Sequence, residues 1–411
     1  MGKLAITGGE AVHTTGWPGW PPKDPGYLEK LQAVLEHGTW GVGGPMNAAL
    51  TEEFKRVSDA AYIVPNSSGT IALELALRAL DVGAGDEVIV PPYTFIATAS
   101  SVISVNAIPI FADIRPDTLC LDAAAVEAAL TPQTKAVIAV HIGGMPADLR
   151  ALQAVCDRHG LKLIEDCAQA HGAVYGGRKV GAVGDAGAFS FQSSKNITAG
   201  EGGIMTTNDR ATYGKAWSYM NVGRVPDGGW YDHRVMGMNY RLTEFQAALI
   251  LRGIETYEDH MARRDENAAR LRERLAGIEG LEPQAFSPGA ERCAYHLFIY
   301  RYDRAACGGV SRDKFVAALA AEGIPVGAGY NPLYREGMFT AGWDPSRCPF
   351  ACKDYHGHVD YTQVDCPVCE HVCTDGSFWM GQHTLLGTTS DMDDIADAII
   401  KIRDNIHEIR E

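Results

Sequence analysis

Between residues 61 and 207 the sequence alternates between short apolar runs, rich in β-branched residues, and longer segments with helical periodicity. Such runs predict buried strands, and the segments between them predict amphipathic helices. The predicted strands lie at 61–64, 86–90, 108–112, 134–140, 162–165, 188–191 and 204–207, and the predicted helices at 71–80, 97–105, 122–130 and 148–159. Strands that alternate with helices favour an α/β domain with a largely parallel sheet.

The segments on either side differ from this alternation. Residues 1–50 are rich in Gly, Pro and Trp, which is typical of an arm that packs over another part of a protein. The remaining predicted elements are helices at 27–37, 47–58, 244–254, 254–275, 311–322 and 391–409 and a strand at 295–300. Because 411 residues exceed the usual size of one domain, we predict a large α/β domain at 1–258, arm included, and a smaller α+β domain at 259–411.

Polar residues follow several predicted strands at the point where each strand ends. They are 66–70, 93–95, His141, 166–169 and 190–195. In an open α/β sheet the ligand lies at the carboxyl ends of the strands. The sequence therefore predicts one binding site to which all these segments contribute.

The first of these segments, Asn66-Ser-Ser-Gly-Thr70, leads directly into a predicted helix. Unpaired backbone N–H groups and the helix dipole at such a turn attract an anion, typically a phosphate. An ordinary helix cap by Ser67 or Ser68 explains the same residues equally well. The turn is not a P-loop, because the Gly-Lys-[Ser/Thr] ending is missing.

The last segment contains Lys195, in a polar loop between two strands. Most lysines are solvated surface charges. Here Ser-Phe-x-x-x-Lys, followed by Thr-x-Gly-Glu-Gly-Gly, resembles the Schiff-base lysine segment of the DegT/DnrJ/EryC1/StrS family of pyridoxal-phosphate (PLP) aminotransferases. Other segments between 66 and 248 look like family motifs in family order: Asn-Ser-Ser-Gly-Thr, Thr-Phe-x-Ala-Thr, Glu-Asp-Cys-Ala-Gln-Ala-His-Gly and Gly-x-Asn-Tyr-Arg-Leu-Thr-Glu-x-Gln-Ala-Ala.

This resemblance implies the PLP-dependent transferase fold of type I and a homodimer in which each active site borrows residues from the partner. It implies that Lys195 binds the cofactor. The segment 237–243 resembles the part that such dimers exchange, so we expect Asn239 or Arg241 to reach the phosphate of the cofactor in the partner subunit.

PLP also needs an acid at its ring nitrogen. Asp166 follows a predicted buried strand, and an ionised carboxylate there would keep the nitrogen protonated. Taken alone, Asp166 fits a helix cap equally well. Gln169, three residues further on, could hydrogen-bond the ring hydroxyl.

The ring face and the phosphate need partners as well. Phe95 could stack on the ring, with Tyr93 a weaker candidate, although core packing explains an aromatic residue at either position. Gly69, Thr70 and Ser190 could hold the phosphate.

The implied reaction is ping-pong transamination, with L-glutamate or L-glutamine as the amino donor and pyridoxamine phosphate as the intermediate form of the cofactor. The opening Leu-Ala-Ile-Thr-Gly-Gly-Glu and the later segment 329–334 resemble the branch that acts on cyclitol ketones such as scyllo-inosose and makes aminocyclitol or aminohydroxybenzoate units of antibiotics. A nucleotide-linked ketosugar is the alternative acceptor, because Arg224, Arg234 and Arg335 could form a diphosphate pocket. A non-catalytic PLP-binding regulator is more remote, because no helix-turn-helix is predicted.

The composition limits the kinds of partner that we expect this protein to bind. The net charge of −15 argues against nucleic acid and anionic membranes. No signal peptide or membrane span is predicted, so we expect a cytoplasmic protein. Cys366-x-x-Cys369, with Cys373 and several histidines nearby, has a zinc-like spacing, but the resemblance implies no metal and we predict reduced thiols.

Overall fold

The computed structural model describes residues 2–342 and 344–410. Its larger part contains helices α1 (Gly26–His37), α2 (Pro45–Ser58), α3 (Gly69–Ala79), α4 (Ala97–Ser104), α5 (Ala123–Ala128), α6 (Leu149–His159), α7 (Arg210–Met220) and α8 (Glu244–Arg274). Its strands are β1 (Tyr62–Asn66), β2 (Glu87–Val90), β3 (Ile108–Phe111), β4 (Thr134–Val140), β5 (Lys162–Asp166), β6 (Val174–Tyr175), β7 (Arg178–Lys179), β8 (Ala186–Ser190) and β9 (Gly203–Thr207).

The central sheet has seven strands in the order β1-β9-β8-β5-β4-β2-β3. Strand β9 runs antiparallel to both of its neighbours, and the other strands run parallel to one another. Strands β2, β8 and β9 are buried along their whole length, as expected for a sheet covered by helices on both faces. The predicted α/β class and the predicted strands of this sheet are confirmed, with small shifts at the strand ends.

Two features of the helices differ from the prediction. Helix α7 was not predicted, although Asp209 caps it by accepting a hydrogen bond from the backbone N–H of Thr212 at 2.7 Å. The two helices predicted at 244–254 and 254–275 form the single helix α8, which a capping box of Thr243 and Gln246 begins. The predicted domain boundary at 258 lies inside this helix, so the division into domains remains a prediction.

The C-terminal part is built on a smaller antiparallel sheet. Its elements are β10 (Leu281–Pro283), β11 (Ala290–Arg292), β12 (Leu297–Tyr302), α9 (Arg312–Ala321), β13 (Gly327–Ala328), α10 (Gly337–Thr340), α11 (Pro367–His371), β14 (Ser377–Gly381) and α12 (Thr389–Asp404). The sheet order is β10-β12-β14-β13, while β11 joins β6 and β7 in a three-stranded sheet. No element was predicted where β14 lies, and α12 ends earlier than predicted.

Among the described residues, no helix combines the length and the apolar character that crossing a membrane requires.

Candidate active site

A cavity of about 530 Å³ opens at the carboxyl edge of the parallel strands, where the sequence predicted the binding site. Residues from both parts of the chain line it. The lining residues are Ser68, Gly69, Thr70, Leu73, Thr94, Phe95, Ala97, Thr98, Val140, Asp166, Ala168, Gln169, Ser190, Gln192, Ser194, Lys195, Glu201, His296 and Tyr330. The structure thus brings together the predicted site residues that the sequence placed at the ends of β1, β2, β5 and β8.

Lys195 lies in the loop between β8 and β9, and hydrogen bonds fix the backbone of this loop from two sides. Its N–H donates to the carbonyl of Gln192 at 2.9 Å, and the indole Nε1 of Trp20 donates to its carbonyl at 3.2 Å. Burial lowers the pKa of the Lys195 amine, and the charge of Asp166 partly opposes this effect. A larger share of the amine is therefore neutral, and so nucleophilic, than on an exposed lysine.

Asp166 ends β5 and is only 6% exposed. Its Oδ2 accepts a hydrogen bond from Oγ1 of Thr98 at 2.8 Å, and its Oδ1 accepts one from the N–H of Ala168 at 3.2 Å. Burial raises the pKa of this carboxyl, while these hydrogen bonds and Lys195 oppose the rise. Among the described residues no basic side chain forms a salt bridge with Asp166, so this buried acid is suited to a cationic N–H partner.

The start of α3 forms the third part of the site. The side chain of Ser68 caps the helix by accepting from the N–H of Ile71 at 3.2 Å. The N–H groups of Gly69 and Thr70, which also line the cavity, have no acceptor among the described residues. A Cβ at Gly69 would come within 2.6 Å of the Cβ of Ser190, so glycine is required for the two segments to approach this closely.

Gln169 and Phe95 complete the predicted group. The Oε1 of Gln169 accepts from the N–H of Gly143 at 2.7 Å, and its Nε2 donates to the hydroxyl of Tyr330 at 3.0 Å. Phe95 lies between β2 and α4 and is 59% exposed although it lines the cavity. An aromatic face exposed toward a polar cavity is suited to stacking on a planar ring.

His141, predicted at the binding edge, does not line the cavity. It is fully buried, its Nε2 lies 3.2 Å from Oε2 of Glu165, and its Nδ1 accepts from the N–H of Ala147 at 3.0 Å. Glu165 also accepts backbone hydrogen bonds from the loop before β8. The prediction for His141 was wrong because a buried carboxylate needs partners, and this histidine is one of them. Tyr93 is likewise absent from the lining, and its hydroxyl is 3.0 Å from Oγ of Ser377.

Asn239 and Arg241 lie outside the cavity of their own chain. Nη1 of Arg241 donates to Oδ1 of Asn221 at 3.1 Å, and Asn239 forms a backbone bridge with the same asparagine. The pKa of Arg241 is lowered by burial and by the nearby Arg224. Large apolar side chains in this region are strongly exposed, and Met236 reaches 95%.

Seven lining residues lie outside the strand-end segments that the sequence predicted for the site: Leu73, Ala97, Thr98, Val140, Glu201, His296 and Tyr330. Thr98 was within reach, because it is the last residue of the motif Thr-Phe-x-Ala-Thr and lies one helical turn after Thr94. His296 and Tyr330 come from the C-terminal part, and no local pattern connects them to the sheet edge.

The late cysteines form a separate buried group. Cys366, Cys369 and Cys373 are buried, and the sulfur atoms of the last two are 3.7 Å apart. Among the described residues, these thiols are not part of a cluster of three or more ligand atoms close enough to hold a metal ion.

The comparisons with known proteins agree with this geometry. A model of the DegT/DnrJ/EryC1/StrS aminotransferase family matches residues 23–375, so the chain belongs to this family of PLP-dependent transferases. The L-glutamine:2-deoxy-scyllo-inosose aminotransferase of Streptoalloteichus tenebrarius is 42% identical to it over 424 residues, covering 99% of each chain.

Two solved structures extend the comparison to the fold. The crystal structure of 3-amino-5-hydroxybenzoic acid synthase superposes with a TM-score of 0.85 and 31% identity, over 97% of this chain and 100% of that one. DesI in the presence of its TDP-sugar product gives a TM-score of 0.81 and 28% identity, over 99% and 97% of the two chains. The resemblance inferred from the motifs and the type I fold are thereby confirmed, and the chain is an aminotransferase.

Proposed function

We propose that the chain uses PLP to move an amino group from L-glutamine to a cyclitol ketone of the scyllo-inosose type. The observation that carries the proposal is one cavity in which a half-buried lysine, a buried carboxylate and an unpaired helix N-terminus converge. The 42% identity to a glutamine:deoxyinosose aminotransferase over nearly the whole chain supports the choice of donor and acceptor.

The residues of the cavity fit PLP group by group. The unpaired N–H groups of Gly69 and Thr70, with the hydroxyl of Ser190, are suited to a phosphate. Asp166 would accept a hydrogen bond from the protonated ring nitrogen, and that cation would favour the ionised form of this carboxyl, whose pKa burial raises.

The remaining groups of PLP have partners too. Phe95 would cover one face of the ring, and Gln169 has a second amide hydrogen for the ring hydroxyl. When bound, PLP acts as an electron sink for the bond that breaks at the α-carbon of the amino donor.

Lys195 has two tasks in this proposal. Its amine, kept partly neutral by burial, would hold the cofactor before the donor binds. Nζ would then act as the base that takes the proton from the α-carbon of the donor. Asp166 would keep the ring nitrogen of the bound cofactor protonated. With the ketone in place, Lys195 would return a proton to the carbon that receives the amino group.

The nucleotide-linked alternative is less well supported. Diphosphate groups usually bind arginine or several lysines, but among the described residues the lining of the cavity contains no arginine and only Lys195 as a lysine. Arg335 is engaged with Glu370 at 2.9 Å and lies outside the lining.

We also propose a homodimer with shared active sites, as the resemblance to the family implies. The exposed apolar side chains of Tyr231, Met236 and Met238 belong to the segment that leads to Asn239 and Arg241, and an interface would remove them from water. In that dimer Asn239 or Arg241 would reach the phosphate bound by the partner. The location in the cytoplasm remains a prediction from the sequence.

The proposal is tested by separating the two half-reactions. The purified chain is loaded with PLP, and its visible absorbance is followed after addition of L-glutamine or L-glutamate. We expect the visible band to disappear with glutamine and to return when scyllo-inosose is added. A band that responds to neither donor would refute the aminotransferase cycle, and a return only with a TDP-linked ketosugar would favour the alternative acceptor.

A further inference from the structure

The C-terminal part contributes two polar side chains to the cavity, His296 and Tyr330, for which the proposed PLP contacts give no role. Each is held by a chain of hydrogen bonds that ends at a backbone group. Because a backbone N–H can only donate and a carbonyl can only accept, each chain determines whether its last member donates or accepts in the cavity.

The first chain ends at Tyr330. The N–H of Gly143 donates to Oε1 of Gln169 at 2.7 Å, which identifies the other end of this amide as the NH₂ group. That group donates to the hydroxyl oxygen of Tyr330 at 3.0 Å. The hydrogen of Tyr330 is therefore left for another partner. Burial raises the pKa of Tyr330 to about 12, so the hydroxyl keeps this hydrogen at neutral pH.

The second chain ends at His296, and its last member accepts a hydrogen bond where Tyr330 donates one. The Nδ2 of Asn196 donates to the carbonyl of Ala294 at 2.6 Å, so its Oδ1 must accept. This Oδ1 is 3.2 Å from Nδ1 of His296, which therefore carries the ring hydrogen. Burial, reinforced by Lys195, lowers the pKa of His296 well below its usual value. The ring is neutral, and Nε2 has a free lone pair.

The two chains are anchored to each other. The N–H of Ala294 donates to the carbonyl of Gly144 at 2.9 Å, and Gly143 begins the first chain. Nε2 of His296 has no hydrogen-bond partner among the described residues, and His296 lines the cavity. The wall thus presents one fixed donor, the Tyr330 hydroxyl, and one fixed acceptor, Nε2 of His296.

We propose that Tyr330 and His296 together recognise an α-hydroxyketone in the acceptor. Tyr330 donates to the carbonyl oxygen that is to be replaced, and His296 accepts from the hydroxyl on the neighbouring carbon. Tyr330 is hydrogen-bonded to Gln169, which we place at the hydroxyl of the PLP ring, next to C4′. The carbonyl of the acceptor would therefore lie close to C4′, where the amino group is transferred. This inference rests on the proposed function and narrows its acceptor.

The test uses the PLP-loaded enzyme and follows the two half-reactions separately. The acceptors are scyllo-inosose, which has hydroxyls on both sides of its carbonyl, and an analogue that lacks both. The variants are Tyr330→Phe, His296→Phe and His296→Gln. The matched controls are Tyr334→Phe, whose hydroxyl contacts Glu370 outside the cavity, and His383→Phe, which does not line it.

We expect Tyr330→Phe to raise KM about tenfold for both ketones, because each retains a carbonyl. His296→Phe should raise KM about tenfold for scyllo-inosose only, so that the enzyme no longer prefers the hydroxylated ketone. His296→Gln supplies a carbonyl oxygen as acceptor and should restore part of that preference. The first half-reaction with L-glutamine should change less than about threefold.

Three results would overturn the inference. An unchanged ratio of the two KM values in His296→Phe would remove the role of His296. Equal losses in the control variants would make the effect structural. A loss of activity only in the half-reaction with L-glutamine would mean that Tyr330 and His296 bind the amide of the donor instead. If the wild-type enzyme converts neither ketone, the proposed acceptor fails, and the same comparison is repeated with a hydroxylated and a deoxygenated form of the ketone it does convert.

Discussion

The sheet edge and the C-terminal wall of the cavity are built in different ways. At the edge, each group lies at the end of a strand or within a few residues of it, so the main chain determines its position. Asp166 ends β5, Gly69 follows β1, and Lys195 follows β8. On the wall, His296 and Tyr330 are held by side-chain amides that reach back to backbone groups of another segment. The edge is therefore suited to chemistry that a whole family shares, whereas the wall is suited to selecting an acceptor.

The largest effect should come from Lys195→Ala. Loss of the amine removes both the attachment point and the proton carrier, so single-turnover transamination should fall by at least about 10⁴-fold. Rapid-mixing absorbance with L-glutamine measures this rate. Lys215→Ala, at an exposed lysine paired with Asp81, should leave it unchanged. A Lys195→Ala variant that retained a tenth of the wild-type rate would contradict the assignment.

The second prediction concerns pH. Attachment of PLP to Lys195 requires the neutral amine, and burial lowers the pKa of this amine from 10.5. The rate at which PLP attaches to Lys195 should therefore rise about tenfold per pH unit at pH values below the pKa of this amine. It should level off at a pH below 10.5, the ordinary lysine value. Stopped-flow mixing of the PLP-free protein with PLP provides the profile. A midpoint at or above the ordinary value would show that Lys195 is not desolvated before the cofactor binds.

A smaller loss is expected from Gly69→Ala. The added Cβ would lie 2.6 Å from the Cβ of Ser190, so the start of α3 must move away from the phosphate and the Kd for PLP should rise about tenfold. Equilibrium titration measures it. Gly214→Ala is the matched control, because its Cβ meets no atom within 4 Å. Unchanged PLP affinity in Gly69→Ala would place the phosphate elsewhere.

The smallest effect should come from Tyr93→Phe, which tests the support of the wall. It removes the hydrogen bond between the hydroxyl of Tyr93 and Oγ of Ser377, which are 3.0 Å apart. It keeps the edge-to-face contact with Tyr330, in which the ring centroids are 5.5 Å apart. The free energy of unfolding should fall by about 1 kcal/mol, as measured by urea denaturation. The acceptor KM should change by less than about threefold. A larger loss of PLP affinity than of stability would place Tyr93 in the cofactor site.

The same difference between the two regions explains what the sequence could predict. The alternation of short β-branched runs with helices predicts the large sheet, and polar residues at the strand ends predict most of its binding edge. The pattern cannot tell which of these residues faces the ligand. His141 occupies a strand end like Asp166, but it pairs with the buried Glu165 behind the cavity.

The C-terminal wall was out of reach for a different reason. His296 lies in the predicted strand at 295–300, and Tyr330 lies in the segment 329–334 that resembles the cyclitol branch, but neither pattern places its residue at the sheet edge. Their roles depend on contacts with Asn196 and Gln169, far away in the sequence. Helix α8 was predicted as two because its composition changes near 254. In the structure Gly253 lies inside it, and a Cβ there would meet Ile197 at 2.8 Å, so packing accounts for the glycine and no helix break is present.

We propose that the sheet edge controls binding of the cofactor and that the wall controls binding of the acceptor. The most direct test measures the Kd for PLP and the KM for scyllo-inosose in the same two variants, Asp166→Asn and Tyr330→Phe. We predict that Asp166→Asn weakens PLP binding about tenfold or more. Tyr330→Phe should leave PLP binding within about threefold and raise only the KM for the ketone. Equal weakening of PLP binding in both variants would contradict the claim.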